Sequence, residues 1–318
     1  MSIKIFFTNE IPKEREDILS IMKFSESVGR HSGILSNGLM QYCEKDIFEV
    51  WQTSQPIISE KSNNIHITKS KNYLFGSTIL DLEKSFEDNK SKIIQSYKDF
   101  FSISEKNQMK IIKIWHYLPQ LLEKYDNGKT NYSLLCESRE VVYKKYFENF
   151  SYPAATAIGI GQNKILIYFL AALCNKYEAI ENKRQVSSYK YPQDIFREKP
   201  MFSRAASFFD IDDKKEKIFI SGTASIKGYK SMHSLNLNAQ FDEALRNYET
   251  FIRVENNKTN ISRVYVSKLQ NKDLPWIKGK LDATFGSNQY ILLKGDICRE
   301  ELLIEFEGFS DGKYKISN

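Results

Sequence analysis

A carboxylate inside an apolar run is the feature of this chain with the most chemical promise. In Leu302-Leu303-Ile304-Glu305-Phe306-Glu307-Gly308 side chains alternate along a strand. Leu303, Glu305 and Glu307 therefore share one face, and Ile304 and Phe306 the other. Desolvation would raise the pKa of such a carboxyl and keep a proton available for general-acid work. The alternative is a solvent-facing carboxylate on a half-buried strand. Cys298 lies just upstream. A second group is cationic. Arg204, in Phe202-Ser203-Arg204-Ala205, sits between the turn at Pro200 and the pair Phe208-Phe209. Its planar fork suits a carboxylate bidentately, either a structural partner or an anionic ligand. Arg139 and Tyr143 fall at i and i+4 on one helix face. Arg139 is either a second anion anchor or a surface residue near Glu140.

Two further stretches carry small or polar groups. Ser221-Gly222-Thr223-Ala224-Ser225 lies within an apolar strand, Lys217 to Ile226. Glycine weakens a strand interior unless something approaches the backbone closely, or unless a bulge needs it. On the helix from Leu237 to Ile252, Gln240, Glu243 and Asn247 lie at i, i+3 and i+7 beside an apolar stripe of Phe241, Leu245, Tyr248 and Ile252. This polar stripe is a wet face or the lining of a pocket. Gly159-Ile160-Gly161 imitates a dinucleotide loop. However, Lys164 occupies the place of the third glycine, and no acidic residue follows at the right distance. His31, His66, His116 and His233 are scattered, and Cys43, Cys136, Cys174 and Cys298 form no C-x-x-C pair. Neither a zinc site nor a disulfide framework is indicated; free thiols in a reducing cytoplasm are expected.

The elements that must position these groups mix helix and strand. Ile3 to Phe7, Ile47 to Trp51, Ile65 to Thr68, Pro153 to Gly159, Lys217 to Ile226, Ser262 to Leu269, Tyr290 to Ile297 and Leu302 to Phe309 read as strands. Ile79 to Tyr125 and Ser138 to Phe150 read as largely helical, with a mixed stretch at Met109 to Ile114. The apolar run Ile165 to Cys174 reads as a buried core helix, too short to span a bilayer. No internal repeat is visible. Without strict βαβ alternation the class is α+β. At 318 residues, with 41% hydrophobic and 27% charged residues, the chain is globular. Its net charge of +6 is not gathered into a stripe. Lys214, Lys215 and Lys217 form only a short block interleaved with acids, read as solvated surface, so no nucleic-acid partner is expected. No signal peptide or membrane segment is expected either.

In their order along the chain, several stretches together resemble the chorismatase family. They are W-x-Y-x-P at Trp115 to Pro119, Arg139 with Tyr143, PAATAIG at Pro153 to Gly159, Arg184-Gln185, Tyr191-Pro192 and FSRA at Phe202 to Ala205. SGTASIKG at Ser221 to Gly228, His233, the Gln240–Glu243–Asn247 stripe and CREELLIEFE at Cys298 to Glu307 complete the series. FSRA with SGTASIKG is its specific part, and the resemblance covers about the last two thirds of the chain. It implies Glu305 as general acid; activity retained without that carboxyl would move the role elsewhere, with Glu307 or Glu243 next in line. It implies Arg204, Tyr191 and the Gly222 backbone as the holders of an enolpyruvyl carboxylate, and Arg139 as holder of the ring carboxylate. Gln185 and Tyr143 are further binding candidates. A Cys at position 298 resembles the branch that makes 3-hydroxybenzoate, where Ala resembles the branch that makes a dihydroxycyclohexadiene acid. Two departures stand out: Leu235-Asn236 replaces the family's usual Gly-Asp after the matching His, and His116 stands where Asn is commoner.

The resemblance implies an α+β fold, a mixed or antiparallel sheet with helices on one face. It is similar to the trimeric chorismate-mutase-like and imine-deaminase-like architecture built within one chain. An N-terminal subdomain over 1–110 and a catalytic domain over 111–318 are expected. The implied activity is cleavage of the enolpyruvyl ether of chorismate to pyruvate and 3-hydroxybenzoate, without cofactor, by a monomer whose partner is the small-molecule substrate. Alternatives are cleavage giving 4-hydroxybenzoate or the diene acid, a non-catalytic small-anion-binding relative, and an interaction module using the Lys-rich surface.

Overall fold

Strand-forming runs distribute the chain over three main sheets. The computed structural model describes residues 2–43, 45–147, 149–192, 194, 197–252 and 260–311. The first sheet holds β1 (Lys4–Thr8), β2 (Ile18–Lys23), β3 (Val28–His31), β4 (Ile34–Asn37) and β5 (Phe48–Gln52), in the order β1-β5-β2-β4-β3. Next come β6 (Ile58–Ser62), β7 (Ile65–Lys69), β8 (Tyr73–Asp81), α1 (Phe86–Lys106), β9 (Lys110–Pro119), α2 (Asn131–Tyr146), β10 (Ala154–Ile160) and β11 (Lys164–Ala172). Their strands form the sheet β10-β9-β11-β8-β7-β6. The last third holds β12 (Cys174–Ile180), β13 (Ala205–Asp210), β14 (Glu216–Ala224), the two-residue strands β15 (Ile226–Lys227) and β16 (Lys230–Ser231), α3 (Leu237–Glu249), β17 (Asn260–Val266), α4 (Leu274–Phe285), β18 (Tyr290–Lys294) and β19 (Ile304–Asp311). Its main sheet runs β12-β13-β14-β19-β17-β18.

The two six-stranded sheets share one wiring. Each begins with three antiparallel strands, passes through helix, strand, helix and a parallel edge strand, and inserts its last strand at the centre. The repeat is one of topology and is not visible in the sequence, because corresponding core positions have diverged. Where β9 and β11 place Trp115 opposite Tyr168, stacked at 5.0 Å, β17 and β19 place Arg263 opposite Glu307, an ion pair at 3.0 Å. Helices α1 and α2 cover one face of the first six-stranded sheet, and α3 and α4 one face of the second. The opposite faces meet each other and the N-terminal sheet in a common core that includes Trp51, Trp115, Tyr168, Phe219 and Tyr265. The α+β class with helices on one face of each sheet is as the sequence implies.

Several element assignments differ from expectation. Ile79 to Tyr125 is not one helical region: α1 is flanked by strands β8 and β9, so W-x-Y-x-P lies on a strand. The run from Ile165 is β11, not a core helix. Both β9 and β11 are central strands covered on both faces. Such strands lose their alternation and read as continuous apolar runs. Lys217 is not surface but fully buried, with Asp213 at 2.6 Å and Asp311 at 2.8 Å. The expected boundary at 110/111 falls at the start of β9, within a sheet whose strands come from both sides of it.

A buried charge cluster joins the three sheets. Arg263 of β17 donates to Glu49 of β5 at 2.6 and 2.7 Å and to Glu307 of β19 at 3.0 Å. Lys113 of β9 donates to Glu307 at 2.9 Å. Two cations thus meet two carboxylates, and tyrosines 117, 168 and 265 complete the hydrogen bonding around them. Among the described residues no helix is long and apolar enough to cross a membrane.

Candidate active site

The site forms where β10, at the edge of the first six-stranded sheet, meets β13 and β14 of the second. Small residues on both sides let the backbones approach. Ala155 N–H donates to Ser221 Oγ at 2.9 Å, Ser203 N–H to the Pro153 carbonyl at 3.2 Å, and Gly222 N–H to Thr156 Oγ1 at 3.1 Å. The small-residue runs PAATAIG and SGTAS are therefore the two lips of one seam. Beside it opens a cavity of about 250 Å³, walled by both halves and lined by Arg139, Thr156, Tyr191, Arg204, Gly222, Cys298 and Glu305 among others.

Glu305 is 5% exposed, and no hydrogen bond to its carboxyl forms among the described residues. Burial, reinforced by the nearby charge of Glu307, pushes its pKa up to about 8, against the attraction of Lys113 and Arg204. Glu307, two residues on, is the opposite case. Its carboxylate accepts from Lys113 at 2.9 Å, Trp115 at 3.1 Å, Arg263 at 3.0 Å, Tyr265 at 2.7 Å and from the Thr156 hydroxyl. These donors, led by Lys113 and then Arg263, outweigh burial and hold its pKa at about 2. Two carboxyls on one strand face are thus driven apart, the pattern that separates an acid from a permanent anion.

Gly222 sits where the pairing of β14 with β19 slips between Ile220 and Thr223. A methyl group at this position would fall 2.0 Å from Glu305 Oε1. Both explanations for a glycine in this strand therefore hold: there is an irregularity, and the acid's carboxyl lies against the bare Cα. The Gly222 N–H is already committed to Thr156 Oγ1. Cys298 also faces the cavity. Burial, with Glu305 close by, lifts its pKa to about 12, so it is a thiol at neutral pH.

Arg139 and Arg204 are 2% and 3% exposed, and no carboxylate lies within ion-pair distance of either among the described residues. Arg204 Nη2 donates to Tyr191 Oη at 2.7 Å and to the Val186 carbonyl at 2.9 Å, while its buried Nε has no partner. Arg139 donates to Tyr97 Oη at 3.3 Å and to the Met201 carbonyl at 3.3 Å. Tyr97 lies 2.6 Å from His116 Nε2, and His116 Nδ1 lies 2.8 Å from the Thr156 carbonyl. A carbonyl only accepts, so Nδ1 carries the proton and the tyrosine donates to Nε2. Burial, then Arg139, depresses the His116 pKa well below its ordinary value, so this neutral histidine orients Tyr97 and through it Arg139. A buried guanidinium without a carboxylate is costly unless an anion completes it; two around one cavity suit a dianion.

Other expected residues lie behind these walls. Tyr143 packs against Tyr97, Phe101 and Tyr152 without lining the cavity. Gln185 likewise stays outside it, donating to the carbonyl of Ile226, a lining residue, at 3.1 Å. The polar stripe of α3 is neither a wet face nor a pocket wall. Gln240, Glu243 and Asn247 are buried. Gln240 donates to the His233 and Glu301 carbonyls and accepts from Leu303 N–H. Asn247 donates to the Ala224 and Ile226 carbonyls, and Arg184 bridges Asn247 and Glu243. The stripe clamps the segments that carry the site. Sequence reasoning missed Tyr132, Glu198, Arg299 and Glu301 in the lining. Arg299 and Glu301 lie inside the CREELLIEFE stretch, which was the available signal.

Residues 49–171 match the family model described as chorismatase FkbO/Hyg5-like, N-terminal. The chain is 28% identical over 228 residues to a 3-hydroxybenzoate synthase of Streptomyces hygroscopicus, covering 67% of each protein. It is 26% identical over 273 residues to a chorismatase of the same organism, covering 82% of this chain and 78% of the relative. A chorismatase of Streptomyces rapamycinicus is 24% identical over 277 residues, covering 83% of this chain and 82% of the relative. A crystal structure of a chorismatase shares the fold with a TM-score of 0.83 at 23% identity, over 97% of this chain and 98% of that one. The family model over residues 49–171 and these relatives over most of the chain agree: the chain is similar to chorismatases in sequence and shares their fold.

Proposed function

We propose that the protein cleaves the enolpyruvyl ether of chorismate, releasing pyruvate and 3-hydroxybenzoate. The observation that carries this reading is the pairing of a buried Glu305, its pKa pushed up to about 8, with two guanidiniums that have no carboxylate partner among the described residues, around one cavity. Arg204, with Tyr191 against it, takes the enolpyruvyl carboxylate, and Arg139 takes the ring carboxylate. Glu305 donates its proton to the terminal methylene of the vinyl ether. The π pair forms the new C–H bond, an oxocarbenium ion results, and the Glu305 carboxylate left beside it stabilises that charge. The ring hydroxyl adds to the cation and its proton returns to Glu305. The bond from that oxygen to the ring then breaks, pyruvate leaves with the oxygen, and loss of the proton on the neighbouring ether carbon leaves the aromatic acid. No external water is consumed: pyruvate and hydroxybenzoate together contain the atoms of chorismate.

The relative named 3-hydroxybenzoate synthase, and Cys298 in the cavity beside the acid, support the aromatic product over the diene acid. Held as a thiol, Cys298 is a weak donor and a wall, not a thiolate base. Incubation with chorismate, with pyruvate read through lactate dehydrogenase and the ring acid identified by chromatography, tests the assignment. Folded protein that releases no pyruvate would rule it out. A diene acid as the main product would keep the cleavage and discard the aromatic outcome.

A further inference from the structure

Reading Glu305 as the acid raises the question of what keeps its proton in place, and the answer lies outside the cavity wall. Glu307 shares the strand face of Glu305. Five groups from β9, β10 and β17 donate to its carboxylate, and three of them, Lys113, Trp115 and Arg263, can only donate. Two of those three are cations, so the coordination favours the ionised form. The Thr156 hydroxyl donates to Glu307 and accepts from Gly222, whose Cα carries the Glu305 carboxyl against it. The anion and the acid therefore flank one hydrogen-bonded junction in a water-poor interior, where like charges repel strongly.

We propose that Glu307 is a positioning residue for the acid: fixed as an anion where the sheets meet, its charge disfavours a second negative charge on Glu305 and keeps that carboxyl protonated in the resting enzyme. This rests on the assignment of Glu305 as proton donor. The other charged or titratable groups bearing on Glu305 are Lys113 from β9, Arg204 ahead of β13, and Cys298 in the turn before β19, with Arg299 and Glu301 of that turn lining the same cavity. Lys113 and Arg204 favour ionisation and Glu307 opposes it. Burial alone would also retain a proton, so the two causes must be separated by sign. Removing the anion lowers the Glu305 titration. Removing a cation raises it. Loosening the interior so that water enters lowers it in either case.

Infrared difference titration of the ligand-free protein, each form against its own Glu305→Gln partner, reads the acid without turnover. Glu307→Gln is expected to lower the Glu305 midpoint by about one unit or more, and Lys113→Met to raise it. The alkaline limb of kcat/KM should move with each. An unmoved or raised midpoint in Glu307→Gln, or an unmoved or lowered one in Lys113→Met, overturns the proposal. If Glu307→Gln does not fold, the double variant Lys113→Met with Glu307→Gln, which removes the anion together with its counter-ion, decides: a Glu305 midpoint no lower than in Lys113→Met alone overturns the proposal. A protein that ignores chorismate while both midpoints move as stated would count against the reaction and not against this role of Glu307.

Discussion

Glu305 titrates near 8, so its protonated form dominates at neutral pH and is lost above that value. With the protonated form as the proposed donor, kcat/KM should be flat through neutrality and fall tenfold per pH unit beyond about 8; a rate that climbs there would assign the proton elsewhere. Glu305→Gln keeps the shape and removes the proton, and pyruvate release should drop by roughly 10²–10⁴-fold, the usual contribution of a general acid. The folded state binds this proton more tightly than the unfolded chain. Stability from it is therefore present below the ordinary carboxylate range and lost as pH rises through about 8. Glu305→Gln cannot ionise, so its melting temperature should gain on wild type between pH 5 and 9, measured by scanning calorimetry. Cys298→Ala should shift the ring product toward the diene acid by chromatography. An unchanged product would remove Cys298 from the control of partition.

At the scale of elements, α3 begins where the chain departs from the chorismatase pattern it resembles. Asn236 caps the helix by accepting from Ala239 N–H at 3.1 Å, a role open to Asn and Asp alike. Leu235, in place of the usual Gly, takes φ of 57° in the left-handed region. An L-residue with a side chain is strained there by roughly 1–2 kcal/mol. Leu235 is exposed, so Leu235→Gly should lose little packing and raise stability by about 1 kcal/mol in urea melts. The elements that were legible in sequence include those with clear punctuation, such as the strand over Lys217 to Ile226, which follows a charged run and ends in small residues. Strands β9 and β11 were not, because burial on both faces erased the period that distinguishes strand from helix. Single-residue readings of Arg139, Arg204 and Glu305 left their settings open, and only tertiary structure shows the missing carboxylates and the missing donors. The α3 stripe was misjudged because the polar atoms that satisfy it are backbone carbonyls from distant segments, which side-chain periodicity does not reveal.

For the whole molecule, the cluster of Glu49, Lys113, Arg263 and Glu307 ties the N-terminal sheet to both six-stranded sheets. Arg263→Met would leave two buried carboxylates short of a counter-charge and should cost about 3–5 kcal/mol in chemical denaturation. A loss below 1 kcal/mol would show that the sheets are held by apolar contact alone. The repeated wiring escaped sequence reading because it is a repeat of strand order and pairing, and facing pairs as different as Trp115–Tyr168 and Arg263–Glu307 occupy the central strands of the two sheets.

The cavity lies between two copies of one architecture that belong to a single polypeptide. In an assembly of identical subunits, any substitution on one lip would be repeated at every equivalent junction. Covalent linkage lifts that restriction. Guanidinium and carboxyl, thiol and tyrosine can each be altered on one bank without a matching change on the other, so a new ring substrate or a different fate for the same cation is reachable by single steps.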